Sequence, residues 1–186
     1  LLRANISELT VHWKKLAILS VLNSAAPFFL LTFATLSITG GFAGILNATA
    51  PIFAAIVAWV WLSDRLGVSQ IVGLVIGFVG VLALVWNKVT LAFDGTTVAI
   101  IAGIFASILY AVGGNYTKKY MSQMNSLAIA TGTMIAAAII LLPIAVYLWP
   151  SEPVSTRSWI AAIIMGVAST GIAYILYFRL IRNVGP

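Results

Sequence analysis

Charge is what this sequence has least of. Of its 186 residues 8% are charged and four are acidic, where a soluble domain carries ~25% charged residues. So few charges cannot cover a surface facing water, which excludes an ordinary soluble fold. Cysteine is absent, so there is no disulfide framework and the redox compartment stays open. Histidine occurs once, as His12. No G-x-x-x-x-G-K-S/T loop is present, which speaks against ATP-driven work by this chain.

What fills the sequence instead is apolar. Hydrophobic residues make up 62%, against ~45–50% in soluble domains. Lipid is the solvent that accepts such a surplus. In lipid every backbone N–H and C=O must be paired within the protein, so only helices and closed barrels span. Barrel strands alternate apolar and polar residues, whereas the apolar runs here are unbroken. The expected fold is therefore an all-α integral membrane protein, a polytopic helix bundle.

A spanning helix takes ~20 mostly apolar residues. Six stretches meet or approach this: Leu16–Ile38, Phe42–Leu62, Ile71–Trp86 (extendable back to Val68), Val98–Tyr116, Leu127–Leu148 and Trp159–Leu180. None contains an acid. All six tryptophans fall within three residues of a proposed helix end, where aromatic side chains prefer the membrane boundary. Six helices place Arg3, Lys14, Lys15, Arg65, Lys118, Lys119, Arg179 and Arg182 on one side, against Lys88 and Arg157 on the other. By the positive-inside rule the richer side is cytoplasmic, which assigns residues 1–15, 63–67, 117–126 and 181–186 to it. The net charge of +6 is thus explained by topology, and nucleic acid is not an expected partner.

The chain repeats itself. At a shift of 145 residues, Ser24 meets Ser169, Phe29 meets Tyr174, Leu31 meets Leu176, Phe33 meets Phe178 and Gly40 meets Gly185. The first helix therefore resembles the sixth. Helices five apart enter the membrane from opposite sides, the mark of an inverted-topology repeat with its substrate site at the repeat interface. Carried through, the offset calls for two more helices before residue 1 and a similar length behind. That predicts a longer parent with ten helices in two halves of five. The visible parts are residues 1–87 of the first repeat and 88–186 of the second. Residue 1 is Leu rather than Met, in keeping with a start inside a longer chain.

At these residues the chain resembles the EamA family of the drug/metabolite transporter superfamily. The likeness rests on Gly44-Ile45-Leu46-Asn47-Ala48-Thr49-Ala50-Pro51, on Leu62-Ser63-Asp64-Arg65-Leu66, on Gly73, Gly77 and Gly80, and on Thr170-Gly171-Ile172-Ala173-Tyr174 with Tyr177-Phe178-Arg179 and Gly185-Pro186. Asp64 stands where the family usually has Glu; the acid is kept and shortened. The resemblance implies the family's helices three to eight, cytoplasmic termini and export of small metabolites such as amino acids or drug-like compounds, without a cofactor.

A transport path needs polar groups inside apolar walls. Asn23 and Ser24 lie mid-helix, and Pro27 beyond them frees a backbone carbonyl for a substrate or a neighbouring helix. Asn47 and Pro51 repeat the arrangement at i, i+4. Ser107, Tyr110 and Asn115 mark the fourth helix with Gly103 and Gly114; Thr170, Tyr174 and Tyr177 mark the sixth. These faces are expected to converge on a substrate cavity, with the tyrosines as hydroxyl-bearing walls. Each also fits plain helix packing in lipid, and that alternative stays open. Gly73, Gly77 and Gly80 are expected to pack helices. Asp64 is expected at a helix end, paired with Arg65 or a loop. No catalytic residue, metal ligand or cofactor is expected. The partners are the bilayer, a small-molecule substrate and, as an open option, a second copy of the chain. A non-transporting scaffold or receptor is the alternative function. An intramembrane enzyme lacks the His, Asp or Glu cluster it would need at membrane depth. With no acid in the six helices, proton coupling would need one supplied from elsewhere; otherwise transport is facilitated diffusion or exchange.

The orientation is checked by labelling. In a cysteine-free full-length protein in intact cells, Ser151→Cys reacts with a membrane-impermeant maleimide and Ser122→Cys reacts only after permeabilisation. The reverse pattern overturns the topology.

Overall fold

The computed structural model describes residues 8–86 and 94–183. Residues 1–7, 87–93 and 184–186 lie outside the described residues. With them lie the expected repeat junction at 87–88 and parts of the outermost cytoplasmic segments. The described residues form helices and no strand. In chain order they are α1 (Trp13–Ala34), α2 (Gly40–Leu62), α3 (Val68–Val85), α4 (Gly95–Met121), α5 (Ser126–Tyr147) and α6 (Thr156–Leu180, continuing helical to Asn183). Five are long and apolar enough to cross a membrane, and α3 is the short one. Its 18 residues reach ~27 Å, just under the ~30 Å hydrocarbon thickness.

Polar residues start these helices. Asp94 accepts from the Thr97 N–H at 2.8 Å, Thr39 from Phe42 at 3.3 Å, Asn125 from Leu127 at 2.9 Å and Ser155 from Ser158 at 3.2 Å. Each satisfies an orphan donor of a first turn. The helices therefore begin up to three residues before the apolar runs do. At the other end α2 stops on Ser63, whose φ of 59° is the left-handed conformation that ends a helix.

α1 and α6 are not uniform. α1 widens into a π-turn at Val21–Ala25, where the Ala26 N–H reaches back to the Val21 carbonyl. α6 does the same over Met165–Ile172. Shifted by 145, residues 21–25 become 166–170, so the two π-turns fall at matching places in the two resembling helices.

The packing inverts that of a soluble protein. The buried set is dominated by small residues such as Ala25, Ala43, Ala99, Ala102 and Ala106, together with Ser20, Asn23, Ser24, Ser107, Asn115 and Thr133. Large residues such as Val75, Ile76, Val79, Ile139 and Ile163 face outward. Lipid is as apolar as leucine, so large side chains gain little by leaving it, and small residues let backbones close up. α4 is the central helix, packed along α1 and α2 and touching α6. α5 packs on α1 and α6, and α3 lies at the edge against α2. At one end Leu16, Leu19, Met121, Met124, Ile129 and Phe178 form an apolar cluster; at the other Leu46 and Ile100 form a smaller one.

Close approaches fall at glycines. A Cβ on Gly103 would lie 2.8 Å from Leu46 Cδ1, and one on Gly132 would lie 2.7 Å from Leu9 and 2.8 Å from Leu16. Of the three glycines expected to pack α3, Gly77 has Ile52 Cδ1 3.1 Å from where its Cβ would be. Gly73 and Gly80 have nothing within 4 Å, because α3 meets the bundle along one face.

Gly132→Val is expected to cost about 1–3 kcal/mol by overpacking. Gly44→Ala, with nothing within 4 Å of the added methyl, is expected to change little. Tryptophan-fluorescence melts of the full-length protein in detergent compare them; equal melting points would contradict this packing.

Candidate functional site

Side-chain hydrogen bonds to backbone carbonyls tie the inner helices together. In α2 the helix breaks between Asn47 and Ala50, just ahead of Pro51. The Leu46 carbonyl at the break accepts the Thr49 hydroxyl at 2.6 Å and, from α4, the Ser107 hydroxyl at 2.9 Å. Two turns on, Asn115 Nδ2 donates to the Ala54 carbonyl at 3.0 Å and to Ala111 at 2.9 Å. Partners that advance together along both chains mean that α2 and α4 run parallel. In α1, Pro27 has no N–H to give to the Asn23 carbonyl. That carbonyl accepts the Tyr174 hydroxyl of α6 instead.

Between these ties lies a cavity of about 500 Å³. α1 contributes Asn23 and Phe28, α2 contributes Asn47, Pro51 and Ala54, α4 contributes Tyr110 and Gly114, and α6 contributes Ser169, Thr170, Tyr174 and Tyr177. The rings make a wall: Phe28 and Tyr174 centroids are 6.3 Å apart, and Tyr174 and Tyr177 are 6.1 Å apart. Tyr110 faces Tyr174 and Tyr177. Among the described residues no Lys, Arg, His, Asp or Glu borders the cavity. Asn23 is 1% exposed, yet its Nδ2 and Oδ1 have no protein partner, and Asn47 Oδ1 is also buried without one. Unpaired buried amides are costly, so these groups are set to receive a hydrogen-bonding ligand.

Seven residues singled out in the sequence thus share this cavity: Asn23, Asn47, Pro51, Tyr110, Thr170, Tyr174 and Tyr177. Three do not reach its wall. Ser107 and Asn115 turn toward α2, spending their donors on carbonyls. Ser24 is fully buried by the Tyr174 hydroxyl, one residue and so ~100° around the helix from Asn23. Phe28 and Ser169 escaped the sequence reading. Phe28 carried no signal within an apolar run, whereas Ser169 was marked as the repeat partner of Ser24. Among the described residues no group of His, Asp and Glu could hold a metal ion.

A second space of about 630 Å³ opens between α2, α3 and α4. It shares Pro51 and Ala54 with the cavity, and Asp64, Arg65, Gln70 and Lys118 line it. Asp64 pairs with Lys118 at 2.7 Å across it, not with Arg65. Nearby, Lys119 Nζ stands 4.9 Å from the Trp61 ring, and Lys15 donates to the Tyr120 carbonyl at 3.3 Å. The basic ends of α1, α2 and α4 therefore meet at one end of the bundle. Trp149 and Trp159 stack 6.2 Å apart between α5 and α6.

Comparison with known proteins adds the following. The model of the EamA-like transporter family matches residues 1–86 and 97–186. The chain is 21% identical over 188 residues to an uncharacterised transporter, YoaV, of Bacillus subtilis, covering 98% of this chain and 63% of that protein. It is 26% identical over 193 residues to a second from the same organism, YyaM, covering 98% and 61%. A third similar protein is an uncharacterised transporter of Archaeoglobus fulgidus, 24% identical over 136 residues, covering 72% of this chain and 48% of that one. The chain thus spans about three-fifths of the length of the first two relatives. No solved structure matches it.

The Asp64–Lys118 side chains are 46% and 37% exposed, so solvent screens the pair. A double-mutant cycle with Asp64→Asn and Lys118→Met, read by thermal unfolding, is expected to give a coupling of about 0.2–1 kcal/mol. A coupling several times larger would mean that the pair is dry.

Proposed function

The chain belongs to the EamA-like transporter family, and from that premise we propose that it is the larger part of a secondary transporter whose substrate site is the cavity between α1, α2, α4 and α6. The observation that carries this reading is the unpartnered, buried Asn23 carboxamide on the wall of a 500 Å³ cavity, a size in the range of small-molecule sites. The cargo is a small metabolite, from a class running from amino acids to drug-like compounds, and the direction is export. Residues 1–87 and 88–186 belong to two inverted repeats. α1 and α6, the matching helices, face one another across the cavity through Tyr174 and the Asn23 carbonyl. The home is the cell membrane, with the end bearing Asp64, Lys118 and Lys119 toward the cytoplasm. The six helices hold no acid, so proton coupling would need one supplied from outside them; otherwise transport is facilitated diffusion or exchange.

Counterflow in proteoliposomes with the full-length protein tests this. Saturable exchange of one substrate class is expected. Asn47→Leu and Tyr174→Leu are expected to fold, by size exclusion and melting point, and to lower the flux at least tenfold. Normal flux in both variants would remove the cavity from the mechanism. A folded protein that moves nothing across a broad panel would shift the reading to a scaffold.

A further inference from the structure

The cavity presents a specific pattern to whatever enters. Asn23 offers a donor group, Nδ2, and an acceptor, Oδ1, side by side on one carboxamide, both without a protein partner. Gly113 leaves room for that side chain: a Cβ there would lie 3.0 Å from Asn23 Cβ and 3.1 Å from its Oδ1. Any larger residue at 113 would push the carboxamide aside. Asn47 Oδ1 adds a second unpartnered acceptor on α2. The rings of Phe28, Tyr174 and Tyr177 lie along the same cavity, with tilts of 45° and 35° between successive planes. Aromatic walls of this kind bury flat faces.

Charge is excluded by the same wall. An ion entering would shed its water and find no opposite charge, which is expensive in an apolar site. A carboxamide with both atoms free is satisfied by an edge carrying an acceptor next to a donor, the pairing asparagine makes with adenine.

Resting on the reading that this cavity is the substrate site, we propose that it selects an uncharged planar heteroaromatic molecule with a hydrogen-bond donor and acceptor side by side on one edge. Nucleobases and aromatic carboxamides share that chemistry. Asn23 pairs with the edge, Asn47 takes a further donor, and Phe28, Tyr174 and Tyr177 flank the face. Zwitterionic amino acids and organic ions then fall outside the preferred class.

The test is binding and counterflow by the full-length protein with matched probes. Adenine and cytosine represent the nucleobases, and nicotinamide the carboxamides. Nicotinate has the ring of nicotinamide with a charge in place of the amide, and phenylalanine is the zwitterion. At least one neutral probe is expected to bind saturably, ten-fold or more tighter than nicotinate and phenylalanine; which neutral probe wins separates the two sources. Asn23→Leu is expected to lose that ten-fold preference. Because Asn23's carboxamide has no protein partner to lose, the variant should fold; Gly113→Ala, which displaces the carboxamide without removing it, gives a second reading. Transport of phenylalanine or nicotinate in preference to the neutral probes, lost in Tyr174→Leu but indifferent to Asn23→Leu, would overturn the ligand class and leave the transporter reading standing. Absence of binding and flux for every probe and for a broad metabolite panel would overturn both.

Discussion

The structure turns on backbone carbonyls that an interrupted helix leaves open at membrane depth. With no water to take them, each must find a donor from a neighbouring helix. Pro27 opens the Asn23 carbonyl and Tyr174 answers it from α6. At the break before Pro51 the Leu46 carbonyl keeps the Thr49 N–H and adds the Thr49 and Ser107 hydroxyls. Asn115 adds a tie to Ala54. These bonds fasten α1, α2, α4 and α6 at fixed heights. Because each interruption also spoils close packing nearby, the cavity lies where the ties are.

The outer faces follow from the same solvent. α4 can sit at the centre because the middle of its buried face is small, with Gly103, Ala106, Ser107, Ala111, Gly113 and Gly114. Its bulkier residues face lipid or the wall, or join the apolar clusters through Ile100 and Met121. At its final turns the helix leaves the apolar layer, and Lys118 and Lys119 find a carboxylate and a tryptophan face there. One helix thus carries packing, cavity wall and headgroup anchor in succession along its length.

Much of this was legible in the sequence, and the gaps have physical causes. The six apolar runs located all six helices, but their first turns were hidden. Asp94, Thr39 and Ser155 are polar, so a hydropathy reading places them in loops although they cap helices. The cavity side of α6 was legible from Thr170, Tyr174 and Tyr177. On α4 polarity misled, because Ser107 and Asn115 sit on the neighbouring face and spend their hydrogens on α2. On α1 Ser24 was read together with its neighbour Asn23, but adjacent residues stand ~100° apart around a helix, and Ser24 falls on the packed side. The partner of Asp64 was 54 residues away on another helix, beyond the reach of local reading.

The two π-turns sit at matching places beside the cavity. A π-turn amounts to one residue inserted into an α-helix, and it weakens the helix unless something retains it. Here it occurs at Val21–Ala25 and within Met165–Ile172, at positions that coincide under the 145-residue offset. Both border the cavity, which Asn23 of the one and Ser169 and Thr170 of the other line, and π-bulges are common at functional sites. A widened turn is also where a helix bends, so each of these two antiparallel helices has its pliable point beside the space between them.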